Sequence, residues 1–414
     1  MRSPRTPAWS VAAAVLAAGL VAFVVLAATR VPWQPVPGGM PPVPPADTVF
    51  TPHQLDAAEE FSGWARLWSR TGLVLSLVAA CVLGFTPVGR RLIARLRGPW
   101  WLRATLGVVT LTVVGSLVTL PTSVLVRHRQ RQVGLSHQDW AGYAVDRALG
   151  VAVAAVGTSL AIVVLLACAR RWRRAWPAVA GGLLAVLVLL GSFVYPLLVE
   201  PLFNDFRSLP AGPLRTEVLR LAAQEEVRVD DVLVADASRR TTTLNAYVSG
   251  FGDTRRVVLY DNLVEEVPTS ETVAVVAHEL AHARYDDVLT GSLLGGSGAL
   301  VGIGLLGVLL ERRRGEGAPG PADPSGVPRL LALFALASVV ALPVQNTVSR
   351  QLEIRADVTA LETTKDTGAF VALQRELALS SLQDPTPASW SQFWFGTHPT
   401  VLQRIAIAEE FGAR

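Results

Sequence analysis

Cysteine, lysine, histidine and charge are all scarce in this chain. Its 414 residues include two cysteines, six histidines and 17% charged residues, and Lys365 is the sole lysine. Two cysteines exclude a disulfide framework and a thiolate metal site. Cys81 and Cys168 both fall in apolar runs and read as small buried residues. The net charge of +4 comes from arginines clustered beside apolar runs. Such clusters are a topology signal, not a nucleic-acid footprint, so no nucleic-acid partner is expected. What is abundant is apolar: 51% of residues are hydrophobic, the composition of a membrane protein. Arginine in place of lysine, with much alanine, valine and glycine, points to a high-GC bacterial genome and a bacterial plasma membrane.

The apolar residues concentrate near Ala8–Ala28, Thr71–Phe85, Ala104–Val126, Leu149–Cys168, Pro177–Val199, Val288–Leu310 and Leu330–Val348. Most reach the ~20 residues that cross a bilayer core as helix. The second is short and needs Trp64–Arg70, whose tryptophans suit an interface, to complete it. Seven spans are therefore expected. The first follows Arg2 and Arg5 but is longer than a signal-peptide core, so it reads as a retained anchor. Residues 1–199 form an N-terminal membrane region of five spans, and 200–414 a second domain that includes the last two. Three short connections, Arg90–Arg103, Arg170–Arg174 and Arg312–Arg329, are dense in arginine. The positive-inside rule puts them in the cytoplasm with the N-terminus, and residues 200–287 outside. Arg127, Arg129, Arg131 and Arg147 on the opposite side weigh against that.

Pro32 to Pro52 is too proline-rich for regular helix, and Leu55–Arg70 reads as an amphipathic helix leading into the second span. The largest polar segment is 200–287, followed by the tail 349–414; together they suffice for one compact soluble domain. The pattern there is mixed α and β. Pro213–Glu226 reads as a helix, and Val232–Ala235, Asn245–Ser249 and Arg256–Tyr260 as strands, with a turn at Gly250–Asp253. Pro268-Thr269-Ser270 opens a helix that runs towards the sixth span without a clear stop signal.

That helix carries His278-Glu279-Leu280-Ala281-His282. Histidines at i and i+4 project from one helix face and can share a metal ion, and the glutamate between them can polarise a water. A solvated polar patch would need polar flanks; Val275-Val276-Ala277 is apolar. A catalytic zinc site of this kind has three protein ligands and one open position, so a third ligand must reach the same membrane side. The chain crosses twice between His282 and the tail, so the tail qualifies. Glu353 and Asp357 there stand at i and i+4. One carboxylate on the metal and the other holding a ligand histidine accounts for both, against a plain surface face alternating with Arg350 and Arg355. His282 lies about 9 Å along a helix before the sixth span, so the metal belongs near the membrane boundary. Such a depth suits a substrate that arrives partly through the lipid bilayer.

These residues resemble the M48 metallopeptidases and, among them, the Ste24-type CAAX prenyl proteases. The resemblance rests on five segments in order: Pro201-Leu202-Phe203-Asn204; Ser238-Arg239-Arg240 with Asn245-Ala246-Tyr247; His278–His282; Ser349-Arg350 with Glu353 and Asp357; and Thr397-His398-Pro399-Thr400 with Arg404. It implies a mainly α fold, a seven-transmembrane-helix bundle enclosing a chamber, with a small α+β zincin-like catalytic domain at the membrane boundary. It implies one Zn2+ per chain on His278, His282 and Glu353, Glu279 as general base, Asp357 orienting a ligand histidine and His398 stabilising the oxyanion. Asn245, Ala246 and Tyr247 would pair with an extended substrate as an added strand, and Arg404 would contact substrate or acidic groups near the site. The resemblance also argues for a catalytic domain facing the cytoplasm, against the charge rule.

The expected function is an integral-membrane zinc metalloendopeptidase acting on membrane-associated or lipid-modified peptides and proteins. Bacteria generally lack prenylation, so hydrolysis of a peptide bond is the firmer expectation than a prenylated substrate. An HtpX-like membrane-protein quality-control protease is the nearest alternative, with about four spans where this chain has seven. A non-catalytic zinc-containing scaffold would have no need of Glu279. A transporter would carry ionisable residues within its spans, and these hold almost none.

Overall fold

The computed structural model describes residues 8–312 and 320–414. Arg2, Arg5 and part of the Arg312–Arg329 connection lie outside the described residues. The protein is mainly helical, and among the described residues seven helices are long and apolar enough to cross a membrane: Trp9–Arg30, Pro52–Phe85, Trp100–Gln132, Trp140–Arg171, Trp176–Leu202, Asp287–Leu310 and Pro324–Thr364. Each contains or overlaps an apolar run of the sequence. The amphipathic Leu55–Arg70 segment and the short second run are one helix. Thr51 caps it by accepting from the Gln54 amide, Gln54 reciprocates, and Pro52 sits in the first turn, where a missing N–H costs nothing. The Pro32–Pro52 stretch is irregular apart from one turn at Ala46–Val49.

The spans touch one another in the order sixth, fifth, fourth, third, second, seventh, and the first packs against the sixth and fifth. The sixth and seventh close the circuit with few contacts. Within the most apolar stretch of each span only 0–39% of residues are buried. A solid bundle would bury more, so both sides of most helices face away from protein. The seven helices are a ring, not a packed rod.

Connections alternate between the two ends of this ring. At one end, the 133–139 connection meets the polar domain, where the Thr242 amide donates to the Leu135 carbonyl and Ser136 Oγ to the Arg240 carbonyl (2.5 Å). At the other, Arg170 donates to the Ala322 carbonyl (3.0 Å). The arginine-dense connections lie at this second end, away from the polar domain.

The polar domain holds a four-stranded sheet: β1 (Phe206–Ser208), β2 (Asp231–Ala235), β3 (Ala246–Ser249) and β4 (Arg256–Tyr260), in the order β1-β2-β4-β3. β2 and β4 are parallel; β1 and β3 pair antiparallel at the two edges. Gly250 turns the chain between β3 and β4 at φ +90°, and a Cβ there would stand 2.3 Å from the Thr254 carbonyl oxygen. Only glycine fits that turn. Val232, Val234, Val257 and Leu259 of the sheet pack with Val218 and Leu221 of the Pro213–Gln224 helix, with Val276 and Leu280 of the Thr269–Arg284 helix, and with Leu361, Phe370 and Leu373. This one core fixes the histidine helix between the sheet and the end of the seventh span.

The Thr269–Arg284 helix does not run on into the sixth span, contrary to the sequence expectation. It stops at Arg284; Asp286 takes φ 51° and Asp287 begins the span. Aspartate tolerates the left-handed region better than most residues, and Arg255 pairs with Asp286 at 2.6 Å.

Candidate metal centre

His278 and His282 lie one turn apart on a helix whose other face is core. His278 is 6% exposed, and Val276, Ala277 and Leu280 are wholly buried. The apolar flanks that set HExxH apart in the sequence are the residues that press this helix onto the sheet. The two imidazoles meet edge to face at 87°, with their Nε2 atoms 3.2 Å apart. Glu353 enters from the seventh span's helix. Its Oε2 stands 3.2 Å from His278 Nε2 and its Oε1 3.6 Å from His282 Nε2. One ligand atom from each of His278, His282 and Glu353 falls within 4.8 Å of the others.

The far side of each imidazole is fixed by a carboxylate. His278 Nδ1 is 2.9 Å from Asp357 Oδ1, and His282 Nδ1 is 2.9 Å from Asp287 Oδ2. A carboxylate at Nδ1 places the proton there and leaves the Nε2 lone pair for a metal. Asp357 is wholly buried and is held in turn by Arg404, whose Nε and Nη2 donate to Oδ2 and Oδ1 at 2.9 and 2.5 Å. Arg404 Nη2 also lies 3.4 Å from His278 Nδ1. Removing either member of this buried pair would strand the other's charge. Asp287 is held in turn by one donor of Arg355, on Oδ1, and the Arg355 guanidinium lies over the Tyr285 ring at 4.1 Å.

The donor set fits a metal ion. Two Nε2 atoms converge with a carboxylate whose buried Oε2 has, among the described residues, only the imidazole nitrogens of His278 and His398 near it, and two nitrogens and one oxygen suit zinc. Without an ion, burial works against a charged His278, but Asp357 and Glu353 hold its pKa up to about 10. Burial also pushes the Glu279 carboxyl above the usual range, against the pull of His278 and His282.

His398 reaches the centre from the loop before the last helix, Val401–Gly412. Its Nε2 is 3.4 Å from Glu353 Oε2, Thr397 Oγ1 lies 2.9 Å from its Nδ1, and 53% of its side chain is exposed. β3, an edge strand, packs beside the histidine helix. The Tyr260 amide donates to the Asn245 carbonyl, so Asn245 and Tyr247 turn their backbone groups to β4, while those of Ala246 and Val248 face the open edge. The Tyr247 hydroxyl lies 3.4 Å from Glu200, and burial pushes that phenol above its ordinary range.

The structure thus gathers His278, His282, Glu353, Asp357, His398 and Arg404 at one point, with Asn245, Ala246 and Tyr247 on the strand alongside. Arg404 sits behind the site on Asp357, its side chain 12% exposed. Sequence reading missed Asp287 and Arg355. Their one signal was a charged pair, Asp286-Asp287, where an apolar span begins. The Pro201–Asn204 and Ser238–Arg240 segments also meet, through Arg240 on the Asn204 side-chain oxygen and Arg239 on the Phe203 carbonyl (2.6 Å).

Two family models match the chain. That of peptidase family M48 covers residues 208–411, and that of the CAAX prenyl protease N-terminal region, described as five membrane helices, covers 60–205. A Bacillus subtilis protein described as uncharacterized metalloprotease YhfN is 28% identical over 370 residues, 87% of this chain and 86% of that one. A CAAX prenyl protease 1 homolog of Oryza sativa subsp. japonica is 30% identical over 252 residues, 55% of each chain. The chain thus spans about half the length of the rice protein it matches. The crystal structure of S. mikatae Ste24p superposes with a TM-score of 0.78 over 98% of this chain and 100% of that one, at 19% identity, a likeness of fold. With its seven apolar helices and its His-His-Glu centre, the chain belongs to peptidase family M48, as an integral-membrane metalloprotease of the Ste24 type.

Proposed function

We propose that the protein is a zinc endopeptidase that cuts membrane-associated or lipid-modified peptides and proteins at the bilayer boundary. The observation that carries this is the convergence of His278, His282 and Glu353 on one point, with each histidine's other nitrogen on a carboxylate. His278, His282 and Glu353 would hold the ion. When bound, zinc supplies Lewis-acid polarisation of the scissile carbonyl and the attacking water.

The remaining chemistry belongs to the chain. Glu279 accepts the proton of the attacking water and passes it to the departing amine; its burial-raised pKa suits both halves of that transfer. His398 donates to the oxygen that becomes negative as the carbonyl turns tetrahedral. Asp357 and Asp287 fix the ring orientations of His278 and His282, and Arg404 holds Asp357 in place. The open edge of β3 takes an extended substrate as an added strand, through the backbone groups of Ala246 and Val248. A ring of spans opening onto this end would give access from within the membrane. The CAAX prenyl protease names of the relatives favour lipid-modified peptides over the misfolded membrane proteins of a quality-control protease.

Glu279→Gln tests the reading. It should retain zinc by elemental analysis and lose at least about a hundredfold in turnover, the usual size of a general base's contribution. Peptides accumulating in membranes that carry this variant would identify the substrate. Wild-type turnover by Glu279→Gln would end the proposal.

A further inference from the structure

We propose that Asn346 and Arg350 are positioning residues for His398, acting through the backbone of the 392–396 segment. The inference rests on the oxyanion role given to His398 above. That ring is more than half exposed, and its recorded polar neighbours are Thr397 and Glu353. Packing does not fix it, so its place depends on the backbone that carries it.

That backbone hangs from the seventh span. Asn346 Nδ2 donates to the Trp394 carbonyl at 2.7 Å. Arg350 Nη1 donates to the carbonyls of Gly396 (2.7 Å) and Gln392 (3.3 Å), while its Nη2 is anchored on Thr347 Oγ1 at 3.0 Å. These carbonyls belong to the end of the short Ser389–Phe395 helix, where acceptors lack partners within the helix and attract positive charge. The Gln392 side chain then donates to the His398 carbonyl at 2.6 Å. Gly396 leaves room for this: a Cβ there would lie 2.3 Å from Gln392 Oε1. A second tether comes from the second span, whose Arg70 donates to Ser391 Oγ (2.5 Å) and lies 4.5 Å over the Trp390 ring.

Asn346, Arg350, Glu353 and Asp357 follow one another at spacings of four, three and four, so they share one helix face. The helix that brings Glu353 to the two histidines thereby also sets where His398 stands relative to Glu353. Capping of carbonyls for stability alone would not require the clamp and the carboxylate to share a face.

The test is a double-mutant cycle on the metal-loaded, full-length protein, with an internally quenched peptide that the wild type cleaves. Arg350→Met should lower kcat about tenfold or more with KM within about twofold, as for loss of oxyanion stabilisation. In a His398→Ala background the same substitution should change kcat by less than about twofold. Wild-type kcat for Arg350→Met, or an equal loss in both backgrounds, overturns the proposal. Gly396→Ala, which displaces Gln392 and leaves Arg350 intact, gives the same comparison if Arg350→Met fails to fold. Independently of activity, Arg350→Met or Asn346→Ala should speed amide exchange of residues 392–399 in metal-free protein and leave the histidine helix unchanged. Unaltered exchange there overturns the clamp. Full activity of His398→Ala would instead sink the oxyanion role, with the exchange measurement left to judge the clamp.

Discussion

Asp287 was the residue that sequence could least reveal. Its spacing from His282 fits no ligand motif, and as the first residue of an apolar span it reads as a boundary marker. Its role exists only because the chain breaks at Asp286 and folds the carboxylate back onto His282 Nδ1. Asp287→Asn keeps the shape and loses the charge, so metal affinity should fall about 10–100-fold, measured by competition with a chromophoric chelator; unchanged affinity would detach Asp287 from the centre. His278, Glu279 and His282 were legible because one helix supplies all three, and Glu353 with Asp357 because they repeat that i, i+4 spacing. Protonation offers a second check. Asp357 and Glu353 hold the pKa of metal-free His278 up to about 10 against burial, so at neutral pH it holds two ring protons, and a metal ligand must surrender one. Zinc uptake at pH 7–8 should therefore release protons and tighten as pH rises towards 10. Calorimetry in buffers of different ionisation enthalpy reads the number released, and a value of zero would contradict the raised pKa.

β3 shows what an element contributes beyond its side chains. The sequence marked Asn245–Tyr247 as the pairing strand, but only the register with β4 tells which amides are free. Val248→Pro removes an outward N–H and leaves the β4 ladder intact. It should raise KM for a peptide substrate several-fold with metal content unchanged, whereas an unaltered KM would argue that substrate binds elsewhere. β2, β3 and β4 were visible as short apolar runs between turn residues. β1 was not: three residues are too few for alternation to register, and Phe206–Ser208 is a strand only because β2 lies beside it. The second span illustrates the reverse case. Its polar first half already read as a helix leading into the span, and the capping box at Thr51 with an unbroken helical register to Phe85 makes the two one element.

For the molecule as a whole, hydropathy gave the number of spans and their parity, because each crossing needs a long apolar run. Their arrangement as a ring was not legible, since apolar surface facing lipid and apolar surface facing a neighbour look alike in sequence. The parity can be measured. In a Cys81→Ser, Cys168→Ser background, single cysteines at Arg97 and at Gly368 should label from opposite membrane faces with an impermeant maleimide; labelling from one face would refute a seven-span count. The seventh span adds a mechanical consequence. Asn346, Arg350, Glu353 and Asp357 all follow Pro343 on one helix, Val327–Thr364, that also traverses the bilayer. Thickening or thinning the membrane would tilt or slide that helix. The four side chains would keep their mutual spacing, and because Ile354, Val358 and Leu361 of that helix share a core with Val276 and Leu280, the histidine helix would be carried with them. Bilayer thickness would then move the metal-binding residues as one body, changing the depth at which they meet the lipid and not their distances from one another.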